Sequence, residues 1–81
     1  MSNIGHMNQE ILILTFDLIG DNWSIRKKIW RELQESGAKL AYRSHWTLPL
    51  NEENLIEFKR ICEEIRKFGG KAEVIKGVKV V

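Results

Sequence analysis

The sequence predicts an α+β domain with a split β-α-β order, two helices lying on one face of an antiparallel sheet. Three observations predict it. The run "ILILTFDL" at 11–18 is rich in isoleucine and leucine and has no helix cap, so it reads as a strand. Two amphipathic stretches with helical spacing, one opening near Ser24 and one after Asn51, are each stopped by glycine. Segments of period two, "KLAYRSHWTL" and "KAEVIKGVKVV", stand between and after them.

In the first strand, alternation puts Leu12, Leu14, Phe16 and Leu18 on one face and Ile11, Ile13, Thr15 and Asp17 on the other. Both faces begin apolar, which marks a central strand. The stretch "GDNWS" then supplies turn residues and candidate caps, Asp21, Asn22 or Ser24, with Trp23 in the loop and helix start. The helix runs to about Ser36 and stops at Gly37. Its apolar stripe is Ile25, Ile29 and Leu33, with Trp30 at the edge and Arg26 inside the stripe by helical angle. Lys27, Lys28, Arg31 and Glu35 lie on the wetter side, where Lys28 with Glu32 and Arg31 with Glu35 have ion-pair spacing.

Leu40, Tyr42, Ser44, Trp46 and Leu48 alternate with Lys39, Ala41, Arg43, His45 and Thr47. That is one long strand or two joined at a bend, with polar Ser44 marking the bend and Pro49 ending the strand. Tyr42 and Trp46 share a face with Leu40 and Leu48 and are expected in the core. Asn51 caps the second helix, and Glu52 and Glu53 in its first turn suit the helix dipole. Leu55, Phe58, Ile61, Cys62, Ile65 and Phe68 form its buried stripe, and Ile56 lies off it. A last strand follows, interrupted at Gly77, where a bend into a second short segment is expected.

With both helices on one face, the other face of the sheet is left carrying Ile11, Ile13 and Ala41. A surface that apolar needs a cover, so a homodimer is expected, with the segment after Gly77 adding an edge strand to the neighbour. The size agrees: residues 1–6 read as a cloning leader and 7–81 as one small domain, a size that often leans on a partner. Setting the leader aside leaves His45 as the native histidine.

A formal net charge of +2 permits a nucleic-acid partner without demanding one. The single cysteine, Cys62, rules out an internal disulfide and suits a reducing cytoplasm. With no apolar stretch of membrane-span length and no signal peptide, the expected protein is soluble and cytoplasmic. Abundant lysine, glutamate and isoleucine with little glutamine lean toward a thermophilic composition. The sequence has no phosphate-binding glycine loop, no zinc-ligand spacing and no nucleophile elbow.

Asp17, at the carboxyl end of a central strand on the open face, is the candidate ligand for Mg²⁺ or Mn²⁺, two copies meeting across a two-fold axis. The alternative is structural: Asp17 accepts from loop amides or pairs with Arg26, whose other role is to snorkel from the apolar stripe. Lys27, Lys28, Arg31 and Arg43 are the candidate nucleic-acid contacts, against the plainer reading of a solvated charged face. His45 and Arg43 share the open face with Asp17, where a general base or phosphate clamp is conceivable. Cys62 reads as an inert core residue.

An apolar first strand ending in aspartate ("LILTFDL"), a basic first helix ("SIRKKIWREL"), a glycine, and a strand with serine two residues before an aromatic ("AYRSHW") together resemble the small CRISPR-associated subunit of spacer acquisition. The resemblance spans nearly the whole native chain. It implies a ferredoxin-like fold, a symmetric dimer, and either a metal-dependent endonuclease acting on DNA or RNA or a scaffold that binds DNA and bridges integrase subunits. On that resemblance Asp17 is the Mg²⁺ ligand and catalytic residue, and Ser44 and Trp46 match the family's serine and aromatic positions. The chain departs from the family at Tyr42, where glutamine is common, and in "IGDNW", which lacks the family's basic cluster. "TFDL" and "HWTLPL" are also similar to the C-terminal domain of the phenylacetate-degradation repressor family, which implies a non-catalytic dimerisation module. A small-ligand binder at the dimer cleft is a third expectation.

Overall fold

Six elements are described in the computed structural model, which covers residues 9–20, 23–42 and 45–80. They are β1 (Gln9–Asp17), α1 (Trp23–Glu35), β2 (Lys39–Tyr42), β3 (His45–Pro49), α2 (Glu52–Lys67) and β4 (Lys71–Lys79). The strands form one sheet in the order β2-β3-β1-β4, with every neighbouring pair antiparallel. This is the ferredoxin-like split β-α-β arrangement that the alternation of strand and helix patterns predicts.

Alternation in β1 decides which side becomes the core. Leu12 and Leu14 face Leu48 and Trp46 of β3, and beneath them pack Ile29 and Leu33 of α1 and Phe58, Ile61, Cys62 and Ile65 of α2. All of these side chains are buried. Each large one contributes about 1.5–3 kcal/mol by leaving water. Trp30 stands edge-on against Trp46, ring centroids 4.9 Å apart at 89°, so the outer rim of α1 is clamped to β3.

Both helices close alike. Ala38 N–H donates to the Leu33 carbonyl and Gly70 N–H to the Ile65 carbonyl, each across a glycine with positive φ, Gly37 at 86° and Gly69 at 84°. At its start α2 is capped as the sequence predicts, Asn54 N–H donating to Asn51 Oδ1 at 2.8 Å. Pro49 ends β3 where the β2 ladder has already stopped at the Lys39–Thr47 pair, so its missing N–H costs that ladder nothing.

Four expectations are corrected. The serine-to-aromatic segment is two strands folded back on each other, with Leu40 opposite Trp46 but Tyr42 opposite His45. That step of two residues against one is a bulge at Ala41, and it turns Tyr42 out of the core, leaving it 65% exposed. Leu40, on the short edge strand, is also exposed rather than buried. Phe68 sits one residue past α2 and is exposed, because the chain turns away from the helix axis there. Gly77 does not interrupt β4, which pairs with β1 unbroken from Lys71 opposite Asp17 to Lys79 opposite Gln9. A Cβ at Gly77 would lie 3.2 Å from Ile13 Cδ1, so this glycine makes room for the isoleucine across the ladder. Trp23 is the first residue of α1, at the helix start where the sequence places it. The proposed caps Asp21 and Asn22 and the bend at Ser44 lie outside the described residues. Among the described residues, no helix is long and apolar enough to cross a membrane.

Candidate nucleic-acid interface and the open sheet face

The residues that β1 does not send into the core define the opposite face. Ile11, Ile13, Thr15 and Asp17 lie there, flanked by Ile75 and Gly77 of β4 and by His45, Thr47 and Pro49 of β3. Neither of the two described helices covers this side, and Ile75 keeps 44% of its surface in water. The bulge adds Tyr42 to the same side, and a groove of about 510 Å³ runs past Ile11, Ile13, Tyr42, His45 and Thr47. His45 Nδ1 lies 3.0 Å from the Tyr42 carbonyl oxygen. A carbonyl only accepts, so Nδ1 donates this hydrogen bond. The Tyr42 and His45 rings are 6.4 Å apart at a 44° tilt, so the hairpin end presents two stacked-off aromatic rings on the open face.

Asp17 ends β1 on this face and is exposed. It lines a hollow of about 560 Å³ together with Thr15, Arg66, Gly70, Lys71 and Glu73. Gly70 is needed at the rim, because a Cβ there would lie 2.9 Å from the Asp17 carbonyl oxygen and 2.8 Å from Ile65 Cγ2. Lys71 is the direct cross-strand neighbour of Asp17. Arg66 reaches the same rim and donates Nη2 to the Ala72 carbonyl at 2.8 Å. Arg26, the structural partner the sequence offers Asp17, instead donates to the Leu18 carbonyl at 3.4 Å. Among the described residues, no three histidine, cysteine, aspartate or glutamate side chains gather around a common point. Among the described residues, two carboxylates, Asp17 and Glu73, line the hollow against two cations, Lys71 and Arg66, which leaves a single protomer no excess negative charge there to draw Mg²⁺.

The basic residues of α1 separate into two groups. Lys28 turns toward α2, with Nζ 2.6 Å from Glu64 Oε2 and 3.8 Å from Glu32 Oε2. Arg60 completes that cluster, 2.7 Å from Glu57 and 3.1 Å from Glu32. The hydrogen bond from Lys28 holds the Glu64 carboxyl below its usual range, while burial raises that of Glu32. Lys28 is therefore engaged in tying the two helices together. Lys27 and Arg31 are exposed on the outer side of α1 and make no ion pair among the described residues. The Arg31–Glu35 pair that the spacing allows does not form. Arg43 lies outside the described residues. Cys62 is buried, and burial pushes its thiol up, away from the reactive thiolate.

The sequence reading missed one grouping. It sets Trp30 at the edge of a buried stripe and Trp23 in the loop and helix start without joining the two, and both indoles stand exposed on the outer side of α1 beside Arg26, Lys27 and Arg31. Their seven-residue spacing, two helical turns, was the available signal. Comparison with protein-family models, with curated proteins and with solved structures gave no match.

Proposed function

We propose that this chain works as a small homodimeric, nucleic-acid-associated scaffold of the kind its sequence resembles, binding DNA or RNA in a cytoplasmic complex rather than cutting it. The observation that carries the reading is the uncovered sheet face. Ile11, Ile13, Ile75 and Tyr42 form an apolar surface continuous with a groove, and a second copy related by a two-fold axis would bury the same residues from both sides. Dimerisation there doubles the exposed cations that one protomer presents, which gives a mildly basic chain enough charge to hold a phosphate backbone. An integrase-type subunit remains the partner implied by the resemblance.

The test is light scattering on the purified protein, followed by titration of labelled duplex DNA and RNA at two salt concentrations, with Mg²⁺ or EDTA. A dimer that Ile13→Lys converts to a monomer, with binding that weakens steeply in salt, supports the reading. A monomer with no salt-sensitive binding overturns it. A dimer that binds neither nucleic acid favours the repressor-type interaction module.

The endonuclease half of the resemblance rests on Asp17. In the scaffold reading Asp17→Ala leaves binding within about two-fold and there is no cleavage to lose. Cleavage that needs Mg²⁺ and disappears in Asp17→Ala would instead make two Asp17 side chains, one from each protomer, the metal site.

A further inference from the structure

We infer that the outer face of α1 is a binding strip for single-stranded nucleic acid, on which Trp23 and Trp30 stack unpaired bases while Arg26, Lys27 and Arg31 hold the phosphates. The inference rests on the nucleic-acid reading above and names the form of nucleic acid and the surface that takes it. The side chains concerned form one groove of about 320 Å³ with Gln34, on the side of α1 turned away from the core.

Two helical turns separate the indoles, about 10 Å along the axis. Stacked nucleotides in one strand follow one another at about 3.4 Å, so the two positions are spaced to bracket about two of them. The rings differ in how they are held. Trp30 is fixed edge-on by the buried Trp46, with 41% of its surface left in water, which makes it a rigid platform. Trp23, at the first residue of the helix, is 70% exposed and has no ring partner among the described residues. Large exposed indoles are costly to leave in water, and paired with cations they are the composition of a single-strand platform, where base stacking and phosphate neutralisation act together.

Charge complementarity fixes the occupant. Among the described residues, three cations and no carboxylate line the groove. The two acidic residues of α1, Glu32 and Glu35, line a separate groove with Arg60, and Glu32 is paired with Lys28 and Arg60. A polyanion is therefore attracted, and an acidic protein segment would satisfy the cations but leave the indoles without flat partners. An anionic membrane fits less well, because the aliphatic residues of α1, Ile25, Ile29 and Leu33, all point into the core and leave only the two indoles to insert. Paired bases in a duplex hide the faces that the indoles would stack on.

The experiment uses the full chain and a fluorescein-labelled twelve-nucleotide oligo(dT), followed by anisotropy and by quenching of tryptophan emission, with a duplex of the same length alongside. The expected result is binding of the single strand accompanied by tryptophan quenching, and about ten-fold or greater weakening in Trp23→Ala with partial retention in Trp23→Phe. Trp23 is chosen because its removal leaves the Trp30–Trp46 clamp and the core untouched. Arg31→Gln should lower the salt slope of single-strand binding by about 0.7. Single-strand binding that is unchanged in both variants overturns the inference while leaving the nucleic-acid reading standing. Duplex binding without single-strand binding does the same, and absence of both overturns the two together. Tighter binding to phosphatidylserine vesicles or to poly-glutamate than to oligo(dT) would assign the strip to a membrane or to an acidic protein.

Discussion

The two faces of this sheet are made by alternate residues of the same strands, yet they live in different surroundings. Leu12, Leu14, Trp46 and Leu48 meet two helices and are buried to a few per cent exposure or less. Ile11, Ile13 and Ile75 are as apolar but lie on the face turned away from both described helices. The comparison shows that residue type alone does not decide burial in a small domain. Position relative to the helices does.

Breaking the covered face has the largest expected effect. Leu14 is fully buried between β3 and both helices, so Leu14→Ala opens a cavity that the surrounding rings cannot close. The expected loss is about 3–5 kcal/mol, measured by denaturant unfolding, and a loss under about 1 kcal/mol would mean that the core is not packed as described. The neighbouring residue on the other face should behave differently. In Ile13→Lys the stem lies over Gly77 and the ammonium reaches water, so unfolding of the monomer should shift by about 1 kcal/mol or less. If the chain forms the proposed dimer, its main effect should appear in the molecular mass, as dissociation. If both substitutions destabilise the monomer alike, the open face is part of the core and the contrast between faces is lost.

The fold was legible in the sequence because its signals are regular. The period of two in β1, the stripes of Ile25, Ile29 and Leu33 and of Phe58, Ile61 and Ile65, and the glycines after each helix all point the same way. What was illegible depends on a single inserted residue or on where an element ends. The bulge at Ala41 reverses the face of Tyr42, and no composition signal separates such a bulge from continued alternation. Gly77 reads as a break because glycine weakens strands in general, but here it answers a specific side chain, Ile13, that belongs to another strand. The site was partly legible for the same reason. The places of Asp17 and of the exposed Lys27 and Arg31 follow from periodicity, whereas the engagement of Lys28 by Glu64, 36 residues away in sequence, depends on how the helices pack.

That engagement gives the smallest and sharpest prediction. Glu64 and Glu32 sit together between the helices, and their carboxyls are displaced in opposite directions. Glu64 is lowered, chiefly by the hydrogen bond from Lys28, so the stability it contributes is present above its unfolded value and lost as pH falls through its folded value. Glu32 is raised, chiefly by burial, so it costs stability that builds as pH rises through its folded value and is relieved in acid. The two act on either side of the ordinary glutamate value of 4.5, so this cluster's contribution to stability should rise with pH up to that value and fall above it. Lys28→Met removes the bond that lowers Glu64 and leaves the Glu64 and Glu32 carboxylates to share the cation Arg60, whose Nη1 is 3.9 Å from Glu64 Oε1. Two like charges then share the site, and the variant should become relatively more stable as pH falls from 7 toward 4, because a proton bound between the carboxylates relieves their repulsion. Thermal unfolding of both proteins across that range reads the sign directly. A variant whose midpoint shifts with pH in parallel with the parent would show that Lys28 does not set the protonation of the pair, and would return it to the basic residues free to meet a phosphate.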